Sequence, residues 1–418
     1  MNSVETLIYS AEKELQEHFK EIESNEEART RQVLDSYRKF GVSYRHFAPT
    51  TGYGYDDIGR DTLEKIYADL FHTEAALMRP HVASGTAALS LTLFGMTRPG
   101  ERILSATGLP YDTLQSVIGI SGKTRPGSLK DLNIGFDCVE MKDGRIDVRA
   151  VEEAITDNTT LIIAQRSRGY AWRRSLRPED FGELAEMIHK RHPRIRLMVD
   201  NCYGEFVCKE EPTDYGADLC VGSLIKNPGG GIAPTGGYIT GKTEDVERIA
   251  YRLTAPGLGR ELGSYAATYR PFYQGLFMAP HTVAQALKTA LLAAKVFESL
   301  GFATTPASTE RRADIIQAIR FEKPELLVAF CQGIQTASPV DSMALPEPWD
   351  MPGYDDPVVM AAGTFVAGAS IELSADGPMR PPYTAYMQGG LTYTHGKIAL
   401  TEALERMIRT GSLALPES

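Results

Sequence analysis

The sequence predicts an α/β protein: a largely parallel sheet covered by helices on both faces, followed by a smaller α+β unit. Three observations carry this. Short apolar runs alternate with helix-period segments between residues 61 and 225. A long segment at 281–299, "HTVAQALKTALLAAKVFES", then changes the character of the chain. The length, 418 residues, exceeds what one small core organises, so two domains are expected.

The elements follow in order. Residues 5–40 carry two amphipathic helical patterns, read as part of an N-terminal helical arm over 1–50. Residues 48–60, "APTTGYGYDDIGR", form a loop rich in glycine and tyrosine. Helix resumes at 61–72, with Leu63, Ile66, Tyr67 and Leu70 on one face. "RILSA" and "LIIAQ" (161–165) read as strands, and a helix over 178–191 leads into "IRLMVD" (195–200). "LCVGSLI" (219–225) is the next apolar run. Past the 281–299 helix come "ELLVAF", "VVMAAGTFVAG" and "ASIELSA", then a last helix near 396–410. The expected division is therefore a large domain over 51–290 and a small α+β domain over 291–418.

Composition excludes several classes. Apolar residues make up 43% and charged residues 23%, as in an ordinary soluble globular protein. The net charge of −10, with no basic block, argues against a nucleic-acid or anionic-membrane partner. Cys138, Cys202, Cys208, Cys220 and Cys331 form no CxxC pair and no cysteine–histidine cluster, so no metal site is expected. Free thiols in a reducing cytoplasm fit this usage. The N-terminus has no continuous apolar region of the signal-peptide kind, and no window is apolar enough to span a bilayer.

Two phosphate-loop look-alikes fail on spacing. "VIGISGKT" (117–124) has Val117 where a P-loop needs its first glycine. "GGGIAPTGG" lacks the GxGxxG spacing of a dinucleotide site.

Four features then converge. Ser84-Gly85-Thr86 precedes an apolar helix, where unpaired N–H groups and the positive dipole end receive an anion, or where Ser84 simply caps. Asp200 ends "IRLMVD", at the strand end where an open α/β sheet binds ligands, or caps a turn. Lys226 ends "LCVGSLIK", three residues after Ser223, where burial would depress its pKa and favour a nucleophilic amine. Tyr111 starts a helix after "RILSA" and offers a ring to a flat ligand, or packs in the core. Together they supply what pyridoxal 5′-phosphate (PLP) requires: an imine-forming lysine, an acid for the pyridinium, a helix N-terminus for the phosphate and a ring over the pyridine. On this reading the glycines after Lys226 let the backbone pass close to the cofactor.

These residues carry a resemblance. The chain resembles the fold-type-I PLP enzymes of the aspartate aminotransferase superfamily, within them the cystathionine β-lyase and methionine γ-lyase branch, and most closely the aluminium-resistance, methionine-γ-lyase-like proteins. The stretches "TTGYGYDDIGRDTLEKIYADLF", "RPHVASGTAALSLTLFG", "IIAQRSRGYAWRRSL", "MVDNCYGEF", "GSLIKNPGGGIAPTGGYI" and "ELSADGPMRPPYTAYMQGGLTYTHGK" carry it. The resemblance implies Lys226 as the Schiff-base lysine and Cα base, Asp200 as the pyridinium partner and Tyr111 as the stacking ring and proton donor to the leaving group. It places Ser84, Gly85, Thr86 and Ser223 at the phosphate, and Tyr53 or Tyr55 at the phosphate of a neighbouring subunit. The last point implies a dimer or tetramer with shared active sites. Tyr203 departs from the lyase branch and matches the aminotransferase tyrosine that meets the cofactor's phenolic oxygen. The lyase branch's carboxylate arginine has no direct match; Glu372 stands near its place, and Arg380 is the expected substitute, with Arg166 and Arg168 as rivals. The implied activity is carbon–sulfur lysis of a sulfur-containing L-amino acid, with transamination and non-catalytic PLP binding as alternatives.

Overall fold

The computed structural model describes residues 3–120, 126–351 and 356–414. Residues 121–124 of the P-loop look-alike lie outside the described residues.

Helices α1 (Ser3–Glu14) and α2 (Gln16–Lys39) open the chain. α3 (Ile58–Leu70) starts before the expected position 61, because the Asp57 carboxylate caps it by accepting from the Gly59 and Arg60 N–H groups. The chain then alternates: β1 (Ala75–Arg79), α4 (Gly85–Met96), β2 (Arg102–Ser105), α5 (Asp112–Ile118), β3 (Gly135–Cys138), α6 (Val148–Ala154), β4 (Thr159–Gln165), α7 (Gly182–Arg191) and β5 (Arg196–Asp200). β6 (Leu219–Ser223), β7 (Gly237–Gly241), α8 (Thr243–Leu253) and α9 (Arg270–Ser299) complete this part.

β1 to β7 form one sheet in the order β1-β7-β6-β5-β4-β2-β3. β7 alone is antiparallel to its neighbours, so the other six strands share a direction. Both faces are covered, which is why these strands read as unbroken apolar runs. β4 sends Ile162 and Ala164 into one core and Leu161 and Ile163 into the other.

The second sheet is antiparallel throughout, in the order β10-β11-β12-β9-β8, built from β8 (Ala303–Thr305), β9 (Ile316–Arg320), β10 (Val358–Ala361), β11 (Ser374–Pro378) and β12 (Thr384–Gln388). The run "ELLVAF" falls in α10 (Pro324–Thr336), which packs beside α11 (Tyr393–Arg409). The core behind this sheet includes Ala375, Ala385, Met387 and Ile319, together with Val4 and Ile8 from α1.

α9 departs from expectation. It begins at Arg270, not 281, and carries Pro280 in its interior. A proline lacks the N–H for an i→i−4 bond, so the sequence signal there is a helix start. Burial outweighs that loss: Leu276, Ala279, Pro280 and Val283 are all buried along the helix. Among the described residues no helix is long and apolar enough to cross a membrane, and all five cysteines are free thiols.

Candidate active site

The shared direction of six strands brings their carboxyl ends to one edge of the sheet, and the loops leaving that edge line a cavity of about 620 Å³. After β1 come Ser84 to Thr86, after β2 Tyr111, after β4 Gln165 to Arg173, after β5 Asp200 to Tyr203, and after β6 Ser223 to Lys226. The structure thus gathers Ser84, Gly85, Thr86, Tyr111, Asp200, Tyr203, Ser223 and Lys226 around one space.

Each side chain has a local cause. Ser84 is the N-cap of α4, its Oγ accepting from Ala87 N–H at 3.1 Å. The cap places the helix N-terminus at the cavity. Gly85 lies against Ser223: a Cβ on residue 85 would stand 3.2 Å from the Ser223 Cβ and 3.5 Å from Cys202 Sγ. Thr86 Oγ1 lies 2.9 Å from Tyr111 Oη and 3.3 Å from Thr113 Oγ1. Tyr111 N–H donates to Gln165 Oε1 at 3.1 Å. Burial, with Asp200 next, pushes the Tyr111 phenol up, so it stays protonated.

Asp200 is buried at the end of β5, opposite Gln165 at the end of β4. Cys202 N–H donates to its Oδ1 at 3.1 Å. Burial nonetheless raises its pKa, outweighing the opposing pull of the Lys226 amine and the Cys202 hydrogen bonds. Tyr203 holds a left-handed backbone (φ 73°), and its ring centroid lies 4.0 Å from Lys226 Nζ. The loop is anchored from behind by buried Arg29 on Glu211 (2.6 Å) and by Arg166 on Asn201 (2.7 Å).

Two expectations about Lys226 are corrected. Strand β6 stops at Ser223, so Lys226 sits in the following turn, not on the strand. Burial does push its amine down, but Cys202, Tyr203, Asp200 and Tyr111 crowd it with negative charge when ionised, and the net direction is up. The following glycines are not a cofactor cradle. Gly229 packs under the Leu224 carbonyl and Gly230 against the Gly275 carbonyl of α9. They allow two backbones to cross closely.

Tyr53 and Tyr55 do not line the cavity; they are 71% and 56% exposed, with ring centroids 5.7 Å apart. Arg380 lies on the cavity wall with its side chain 52% exposed and paired with Asp356 at 2.9 Å. Arg166 is spent on Leu176 O, Asn201 and Glu211, and does not line the cavity. Arg168 does: it is 2% exposed, its Nη1 donates to Thr305 O at 2.6 Å, and Nε and Nη2 have no partner.

Several cavity residues escaped the sequence reading. Gln165 had an available signal, since it ends its strand as Asp200 does. Asp376, Tyr386 and Gln388 had none, because they come from the second sheet.

PLP fits these residues on this structure's own terms. Ser223 Oγ is buried with no partner beside the start of α4, and such a hydroxyl costs about 1–3 kcal/mol unless a ligand pairs it. Asp200 presents a buried carboxyl to the same cavity, and Lys226 carries the only amine lining it among the described residues.

The chain matches a family model described as methionine gamma-lyase over residues 4–408. It is 52% identical over 391 residues to the uncharacterized protein YnbB of Bacillus subtilis (strain 168), covering 93% of each chain. A structure of a carbon-sulfur lyase involved in aluminum resistance from Clostridium novyi NT matches with a TM-score of 0.94 at 47% identity, over 97% of this chain and 96% of that one. The pyridoxal-5′-phosphate dependent protein YhfS from Escherichia coli matches with a TM-score of 0.62 at 16% identity, over 93% and 97%, a likeness of fold alone.

Proposed function

The chain belongs to the methionine gamma-lyase family, and from that premise we propose that it is a PLP-dependent carbon–sulfur lyase, converting a sulfur-containing L-amino acid and water to a 2-keto acid, ammonia and a thiol. The observation that carries this is the convergence of the half-buried Lys226 amine, the buried Asp200 carboxyl and the unpartnered Ser223 hydroxyl on one cavity. When bound, PLP supplies an electron sink for the charge left at the substrate Cα.

The chain's own residues do the rest. The N–H groups of Gly85 and Thr86, with the Ser223 hydroxyl, hold the phosphate. Asp200 holds the proton on the ring nitrogen, and that cation in turn stabilises the Asp200 carboxylate against burial. Lys226 anchors the cofactor and moves the Cα proton. Tyr111, kept protonated by burial, donates to the departing sulfur. For the substrate carboxylate the Nε–Nη2 edge of Arg168 is uncommitted and suits bidentate binding, whereas Arg380 is already paired. On this reading Tyr53 or Tyr55, both exposed, reaches the phosphate of a second copy of the chain, in a dimer or tetramer that shares its sites.

The test is a panel of thioether and thiol L-amino acids given to the holoenzyme, with keto acid, ammonia and thiol measured together. Equal yields of the three are expected. Keto acid that forms only with an added amino acceptor, and without thiol, would overturn the lyase reading in favour of transamination.

A further inference from the structure

The second sheet turns a polar face to the cavity that none of these roles uses. Register sets it. Asp376 pairs with Tyr386, Ser374 with Gln388, and Tyr386 and Gln388 pair with Ala318 and Ile316. The alternate positions Ala375, Ala385, Met387 and Ile319 go to the core behind, so Ser374, Asp376, Tyr386 and Gln388 share the front. Asp376, Tyr386 and Gln388 line the same cavity as Lys226. Tyr386 is committed: its hydroxyl donates to Tyr170 O at 2.7 Å.

The other three are not saturated. Asp376 is 9% exposed and accepts from the Tyr170 hydroxyl, but its Oδ1 has no partner. The buried Ser374 Oγ has none either. The Gln388 amide makes no hydrogen bond among the described residues. Among the described residues no arginine forms an ion pair with Asp376: Arg380 pairs with Asp356 and Arg168 bonds the Thr305 carbonyl. A buried carboxyl with an orphan oxygen is costly unless a ligand pairs it.

Asp376, Gln388 and Ser374 can each accept a hydrogen bond, and a cation beside Asp376 would hold its carboxyl ionised against burial, so the set matches a group with several donors and a positive charge. We propose that Asp376 and Gln388, with Ser374 beside them on the same sheet face, form a subsite for an ammonium group at the distal end of the substrate's side chain, on the arm that leaves with the sulfur. This rests on the reading that the substrate's reacting end meets Lys226. A plain methylthio arm leaves all three groups unpaired, and a site built for hydrogen bonds rejects the analogue that lacks them.

Binding tests this without turnover. L-Lysine and L-norleucine differ only in the terminal amine, and calorimetry on the holoenzyme gives both affinities. L-Lysine binds tighter by about tenfold or more, and Asp376→Asn brings the two together. Norleucine binding as tightly as lysine, or a lysine preference that survives Asp376→Asn in holoprotein of normal melting temperature, overturns the proposal. Should that variant fail to fold, Gln388→Met takes its place, with a several-fold loss of preference expected and an unchanged preference counting against the subsite. Turnover separates this from the lyase reading. S-(2-aminoethyl)-L-cysteine and its homocysteine analogue are expected to outrun the S-propyl pair in kcat/KM. If no thioether reacts while the lysine preference stands, the lyase reading fails and the subsite survives.

Discussion

Gly85 and Ser223 lie against one another where β6 ends and α4 begins, the Cβ that residue 85 lacks falling 3.2 Å from the Ser223 Cβ. The buried Ser223 hydroxyl beside it has no partner in the protein. Ser223→Ala therefore leaves the apoprotein's melting temperature unchanged or raised, and weakens PLP binding by about tenfold. Fluorescence titration of the apoprotein measures the second effect and a thermal melt the first. A destabilised apoprotein with unchanged PLP affinity would show that the hydroxyl serves the fold instead.

Lys226 stands over Tyr203, and its amine faces Asp200 across the cavity. Lys226→Ala abolishes turnover. Borohydride, which fixes PLP to the peptide containing residue 226 in the native enzyme, fixes none in the variant. Residual turnover near the native rate, or label on another lysine, would remove residue 226 from the chemistry.

Arg168 and Arg380 make opposite predictions. Removing the uncommitted guanidinium in Arg168→Met costs about 1.5–3 kcal/mol of substrate binding, read as a KM increase of roughly ten- to a hundredfold. Arg168→Lys rescues poorly, because an ammonium cannot present a bidentate edge. Arg380→Met changes KM only a few-fold. The reverse ranking in steady-state kinetics would return the carboxylate to Arg380.

Burial raises the Glu205 carboxyl to about 8 from its ordinary 4.5, against the opposing bond from Tyr238 Oη at 2.8 Å. Between these values the native state keeps a proton that the unfolded chain has lost. Stability is then greatest below the lower value and falls as pH rises through the window. Glu205→Gln flattens that slope and is the more stable protein at the alkaline end. Denaturant melts across the window check it, and a variant with the same slope as the native enzyme would assign the dependence to another group.

Gly275 of α9 meets the Gly229 carbonyl, leaving no room for a Cβ. Gly275→Ala forces the crossing apart and destabilises by about 1–3 kcal/mol. A thermal melt reads this, and cofactor retention falls only as far as stability does. Loss of PLP from a variant with a native melting temperature would instead tie the glycine crossing to the site.

How much was legible follows from where each signal resides. Lys226, Asp200, Ser223 and the Ser84–Thr86 turn could be read because strand ends and helix starts are local events, marked by short apolar runs and capping residues. The chain order of those marks determined the family resemblance and the cofactor. The start of α9 was not legible, because Pro280 carries a local stop signal that buried packing overrides. The direction of the Lys226 shift was not legible either, since it depends on Cys202, Tyr203 and Tyr111 arriving around the amine from separate loops. The open Nε–Nη2 edge of Arg168, and the arrival of Asp376 from another sheet at the cavity that Lys226 lines, are properties of pairing between segments far apart in the chain. Local chemistry is written residue by residue, whereas a side chain's partners, burial and charge balance exist only once the sheets have closed on each other.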